Sequence, residues 1–121
     1  MNFTESQREV IEARNCDILV SAGAGSGKTS VLTERILQRL LDQDNPIDID
    51  RLLVLTFTRA AASQMRTKLS ERIAGYLSKN ITDERMQRQQ DLLYNAQITT
   101  IDSFCLYLLR NHFQRITAGF L

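Results

Sequence analysis

Asp17-Ile18-Leu19-Val20-Ser21-Ala22-Gly23-Ala24-Gly25-Ser26-Gly27-Lys28-Thr29 is the stretch around which this 121-residue chain is organised. Its apolar, β-branched start predicts a short buried strand over 18–20. A glycine-rich turn follows. The next apolar residues, Val31, Leu32, Ile36, Leu37, Leu40 and Leu41, recur at helical spacing, so a helix is predicted from about Lys28. Strand, glycine turn and helix in that order are the context a phosphate-binding loop needs. Backbone N–H groups must curl around a polyanion, and Gly23, Gly25 and Gly27 leave room for that approach. The helix start adds unsatisfied N–H groups and the positive end of its dipole. Lys28 is then placed to reach the β- and γ-phosphates of a nucleotide, and the Thr29 hydroxyl to hold Mg²⁺. Ala22 stands where the general G-x-x-x-x-G-K-[ST] pattern has its first glycine. The competing reading is a plain glycine-rich turn with an exposed lysine; the flanking strand and helix argue for the nucleotide site.

The length allows one domain at most. A hydrophobic fraction of 43% suits a packed core and excludes a disordered chain. A net charge of +1 neither suggests nor excludes a nucleic-acid partner. Locally, Asp42, Asp44, Asp48 and Asp50 make an acidic connection, while residues 59–79 carry Arg59, Arg66, Lys68, Arg72 and Lys79 against Glu71. Such a run is either a solvated helix face or a binding surface. Cys16 and Cys105 lie in apolar neighbourhoods and read as reduced, buried thiols of a cytoplasmic protein. His112, the single histidine, has no partner set for a metal and reads as structural. Neither a signal peptide nor a membrane-spanning run is apparent.

Ahead of the loop, Thr4-x-x-Gln7 precedes a helical run with Val10 and Ile11 and fits a capping box. From spacing alone that is the better reading of Gln7. The alternative is that its amide, a paired donor and acceptor, reads the edge of adenine. After the first helix, residues 42–51 with Asn45-Pro46 form a surface loop. Residues 52–57 are a continuous apolar strand of the kind buried on both faces of a parallel sheet. Thr58 is a cap for the next helix, on which Ala62, Met65, Leu69, Ile73 and Tyr76 share a face. A polar helix is predicted over 83–95. Its Asp83-Glu84 is not an ATPase magnesium pair, because no apolar strand precedes it and acids are favoured at a helix start. Residues 97–101 make a third strand, and Asp102 or Ser103 a cap for a last helix with Cys105, Leu108, Leu109 and Ile116 as its apolar stripe.

Three βα units follow: an α/β fold with a parallel sheet of about three strands flanked by helices. Three parallel strands leave an edge that a complete fold would cover. The sequence looks cut short.

Gln7, the loop at 22–29, Thr56-Phe57-Thr58-Arg59-Ala60-Ala61-Ala62-Ser63-Gln64-Met65 and Thr100-Ile101-Asp102-Ser103-Phe104-Cys105 occur in that order. Together they resemble the amino-terminal part of superfamily 1 DNA helicases of the UvrD/Rep type, over nearly the whole chain. Within that group the likeness is greatest to the AddA-type helicase–nuclease subunits, relatives of RecB. The resemblance implies that residues 1–121 are the first part of a RecA-like P-loop motor domain in a larger protein. It implies ATP and Mg²⁺ as cofactors, with Gln7 reading adenine and Ala22, Gly23, Ala24, Gly25, Ser26, Gly27, Lys28, Thr29 and Ser30 around the nucleotide. It implies DNA contacts by Thr56, Phe57, Thr58, Arg59, Ser103 and Phe104. For Phe57 and Phe104, core packing is the alternative to base stacking. Many relatives carry histidine at the position of Asp102, whose carboxylate would repel phosphate, so its DNA role is open and helix capping is the other reading.

The activity implied is that of an ATP-dependent DNA helicase, with an exonuclease in the whole protein, acting on DNA ends in double-strand break repair and recombination. The partner implied is a second, AddB-like subunit. The acidic pair and the arginines that hydrolysis needs are absent from these residues, so this stretch alone is expected not to turn over ATP. Two other classes stay open: a stand-alone P-loop nucleotide-binding module, and a small-molecule or nucleotide kinase. Neither has a use for the motifs at 56–65 and 100–105.

Overall fold

The computed structural model describes residues 2–23 and 27–118. Helix α1 (Glu5–Glu12) leads to α2 (Lys28–Leu41), then a 3₁₀ turn (Ile49–Arg51), strand β1 (Leu53–Thr56) and the long helix α3 (Arg59–Lys79). Helix α4 (Glu84–Leu92) runs into a second 3₁₀ turn (Leu93–Asn95), and strand β2 (Gln97–Thr100) into helix α5 (Ile101–Ala118). Strands β1 and β2 are parallel, with Val54 opposite Ile98 and Thr56 opposite Thr100. Parallel strands need a crossover connection, and α3 with α4 supplies it.

The local signals produce these elements. The Thr4 hydroxyl accepts from the Gln7 backbone N–H at 3.2 Å and the Gln7 side-chain Oε1 accepts from the Thr4 backbone N–H at 2.9 Å, which is the capping box in full. Thr58 caps α3 by accepting from the Ala61 amide at 3.1 Å. Asp83 caps α4 by accepting from the Met86 amide at 3.1 Å, in keeping with its reading as a helix-starting acid. The apolar face of α3 turns inward at Ala62, Met65, Leu69 and Ile73, with Tyr76 packed at its end.

The core lies where α2, α3 and α4 close over one face of the sheet. Leu40, Ile49, Leu69, Ile73 and Met86 are its most deeply buried apolar side chains, each worth about 1.5–3 kcal/mol relative to exposure. Ile49 corrects the surface-loop expectation for 42–51: the turn is anchored in the core by a residue with no exposed surface. Buried Gln89 holds that turn by accepting from the Ile49 amide at 2.8 Å and donating to Asp48 Oδ1 at 2.8 Å. The basic run on α3 is partly consumed by the fold. Arg66 donates to the carbonyls of Leu93, Ala96 and Ile98, and Arg72 pairs with Glu34.

Several expectations are corrected. Residues 18–20 form no strand, and the sheet described has two strands rather than about three. A strand exists through its ladder, and β1 pairs only with β2 among the described residues, leaving Leu19 97% exposed. For the same reason β1 is not buried on both faces: Val54 is covered while Leu53 and Leu55 are exposed. The α5 stripe is not buried either: Cys105 and Leu109 are on the surface and Leu108 is half-buried, while the side chain of Ile116 lies outside what is described. Cys16 and Cys105 are both exposed, the first beside the unpaired segment 18–20 and the second on the open face of α5. The cap of α5 is Thr100, whose Oγ1 accepts from the Ser103 amide at 3.1 Å, rather than Asp102 or Ser103. Among the described residues, no helix is long and apolar enough to cross a membrane.

Candidate functional site

Gly27 immediately precedes α2, and its φ of 80° and ψ of 24° are left-handed. Only glycine adopts that conformation without cost. From there α2 begins with no side-chain cap, so the first backbone N–H groups, those of Lys28, Thr29 and Ser30, point out of the helix end. Lys28 and Thr29 are exposed beside them and Ser30 is half-buried. This end can take an anion. Of the predicted loop residues, Ala22 and Gly23 are described, whereas Ala24, Gly25 and Ser26 lie outside the described residues.

Gln7 comes to the same place from α1. Its Nε2 lies 3.6 Å from where a Cβ on Gly27 would stand. The capping box fixes which way the amide faces, since its oxygen is turned to the Thr4 N–H and its nitrogen therefore toward the turn. Capping and base reading are thus compatible, because a carbonyl oxygen has a second lone pair and the amide nitrogen two donors. Gln7, Val20, Ala22, Lys28 and Arg35 line one cleft of about 590 Å³.

Arg35, which the sequence reading missed, stands seven residues after Lys28 and so on the same face of α2. Its Nη1 donates to the carbonyls of Val10 and Ala13 at 2.7 Å each. Burial holds its pKa below the usual arginine value, with the nearby charges of Arg14 and Arg39 adding to the effect.

A second constellation gathers at the carboxyl ends of the strands, where α3 and α5 begin. Phe57 is 92% exposed, which removes the core-packing alternative for it, and Arg59 is exposed next to it. Thr58 is committed to its cap, and the Thr56 hydroxyl lies 3.0 Å from the Thr58 carbonyl and 3.2 Å from that of Thr99. On α5, the Ser103 hydroxyl accepts from Thr100 at 2.8 Å. Phe104 is half-buried and stacks on Tyr107, ring centroids 6.2 Å apart, so its ring is partly used inside the helix. Asp102 is exposed and takes no part in the cap. No group of three or more His, Cys, Asp or Glu able to hold a metal occurs among the described residues. A magnesium ion bound through one hydroxyl and the phosphates needs no such group.

The UvrD/REP helicase N-terminal domain family matches residues 3–119. The chain belongs to that family. It is 51% identical, over 95% of its length, to an ATP-dependent helicase/nuclease subunit from Lachnoclostridium phytofermentans. Against the proteins of the same name from Clostridium acetobutylicum and Clostridioides difficile, the identities are 50% and 52% over 95% and 94% of the chain. The chain spans 8% of the first of these relatives and 9% of the other two. Membership in the UvrD/REP family sets aside the kinase reading.

Proposed function

We propose that this UvrD/REP-type domain is the ATP-binding portion of an ATP-dependent DNA helicase/nuclease that acts on DNA ends in double-strand break repair and recombination. The observation that carries the reading is the Gln7 amide held against Gly27 at the uncapped start of α2. In this reading Gln7 takes adenine, and the turn at 22–27 with Lys28 and Ser30 takes the phosphates. Thr29 contributes its hydroxyl to Mg²⁺ bound with them. Phe57, Arg59, Ser103 and Phe104, with the backbone around Thr56 and Thr58, take single-stranded DNA: a helix start and a guanidinium for phosphate, an aromatic ring for a base.

Residues 1–121 are then the first part of a motor domain. The apolar side chains left open at Leu19, Val20, Leu53 and Leu55 fit a surface that further chain completes with at least one more strand. Such a surface counts against a free-standing module, which would have to keep those residues in water. The whole protein, in this reading, is cytoplasmic and works with a second, AddB-like subunit. These residues alone capture nucleotide without turning it over, because the acidic pair and arginines for hydrolysis lie elsewhere.

Titration of the chain with a fluorescent ATP analogue and magnesium tests this. Binding should be lost with Lys28→Ala and become less selective for adenine with Gln7→Ala. Equal binding by the wild type and Lys28→Ala would refute the phosphate assignment. A DNA-stimulated ATPase rate from the chain alone would refute the division of labour.

A further inference from the structure

Helix α1 has eight residues, and Ile11 is its one buried side chain. A helix this short is not stable on its own, and its position comes from what it docks on. That support is α2, through packing and through Arg35. The guanidinium reaches the orphan carbonyls at the end of α1, with Val10 and Ala13 at 2.7 Å and Ile11 at 3.4 Å. A cation at a helix carboxyl end also complements the dipole. Arg14 adds bonds to the Ile11 and Ala13 carbonyls at 2.8 and 2.9 Å and pairs at 3.9 Å with Asp42, just past the far end of α2, whereas Arg35 reaches those carbonyls from within α2 itself, on the face that carries Lys28.

We propose that Arg35 is a positioning residue for adenine recognition: by fastening the end of α1 to the helix that starts at Lys28, it fixes the Gln7 amide against the phosphate turn. The inference rests on the nucleotide reading above and adds a residue that lines the same cleft but whose Nη1 is spent on the carbonyls at the end of α1. The lever is simple. Gln7 is six residues from Ala13, about 9 Å along the helix. A swing of about 10° at the fastened end moves the amide by roughly 1.5 Å, enough to break a hydrogen bond at its usual length. Lys28 and Thr29, on the other side of the fastening, stay where they are.

The test compares ATP, GTP and tripolyphosphate, each with magnesium, on wild type, Arg35→Met, Arg35→Lys, Gln7→Ala and the Arg35→Met/Gln7→Ala pair. Hydrogen exchange over residues 5–12 is followed in parallel. Arg35→Met should reduce the preference for ATP over GTP to that of Gln7→Ala, about tenfold. The double variant should lose no more, and tripolyphosphate affinity should stay within about twofold. Exchange in α1 should accelerate, and Arg35→Lys, which keeps the charge and loses the fork, should fall between Arg35→Met and wild type. A wild-type preference in either variant despite faster exchange in α1 overturns the inference. So does a matching loss of tripolyphosphate affinity. A wild type without any preference for ATP fails the adenine reading itself, before any Arg35 variant is measured.

Discussion

Thr56 and Thr100 are register partners at the carboxyl ends of β1 and β2. The segments leaving them start α3 and α5 at the same end of the sheet, so Phe57 and Arg59 share that end with Ser103 and Phe104. Two helix starts side by side favour a polyanion there. Phe57→Ala should weaken single-stranded DNA binding by about 1–3 kcal/mol, the usual worth of a stacked base. Its urea midpoint should not move, since the ring is 92% exposed. Arg59→Ala should lower affinity alike on all sequences and reduce the salt slope by about one ion. Fluorescence anisotropy at several salt concentrations checks both, and a salt slope unchanged by Arg59→Ala would remove Arg59 from the interface.

Gly27 is held at a φ of 80°. An alanine there would meet Gln7 Nε2 at 3.6 Å, an ordinary contact, so the obstacle is the backbone and not crowding. Gly27→Ala should cost about 1–2 kcal/mol in denaturant unfolding. If the turn relaxes instead, the cost disappears and nucleotide binding falls, because the start of α2 is then re-aimed.

These features differ in how far the sequence announces them. The Thr4–Gln7 box, the Thr58 cap and the inward face of α3 are relations at offsets of three and four along one helix, and each is legible from spacing. The strand over 18–20 is not, because hydrophobic pattern shows what a segment would bury and not whether a neighbour is present to pair with it. Cys16, Cys105 and the stripe on α5 failed in the same way. Their apolar surroundings in sequence do not become burial unless something packs on them. Arg35 goes unnoticed in the sequence, and Arg66 reads there only as one charge of a basic run, for another reason. Both end on backbone carbonyls of distant segments, and carbonyls carry no mark in the sequence. The start of α2, in contrast, follows from contiguous residues, so the helix begins at Lys28 as its apolar spacing predicts, directly after a left-handed Gly27.

Tyr76 donates its phenol proton to Asp83 at 2.9 Å, and this bond, with a smaller contribution from burial, raises its pKa above the ordinary 10.0. A group whose pKa is raised on folding gives stability that is fully present below the unfolded value and lost as pH rises through the folded one. The bond should therefore support the fold up to about pH 10 and fail above it. Tyr76→Phe should lower stability at neutral pH, where the bond is intact, and flatten the alkaline side of the stability–pH curve, and melting scans across about pH 7–11 read this out. An alkaline limb identical in both proteins would show that the bond does not survive in solution.

Gln89 and Gln90 are neighbours with opposite satisfaction. Gln89 is fully buried and both ends of its amide are bonded, to the Ile49 amide and to Asp48. Gln90 donates to the Ser70 hydroxyl at 2.9 Å, but its buried Oε1 has no partner among the described residues. Removing the first amide strands a donor on Ile49 inside the core, which costs about 1–3 kcal/mol. Removing the second exchanges one hydrogen bond for relief of an unpaired carbonyl, and these nearly offset. Gln89→Met should lower stability by about 2 kcal/mol, whereas Gln90→Met should stay within about 0.5 kcal/mol of wild type. Arg85, which donates to the Leu40 carbonyl, to the Ile47 carbonyl at 2.9 Å and to Asp48 at 3.2 Å, keeps Asp48 paired in the Gln89 variant. The loss should therefore trace to the Ile49 amide and show no new pH dependence near neutrality. Urea unfolding of the two variants under one set of conditions decides it, and equal losses would mean that Gln90 is satisfied by water.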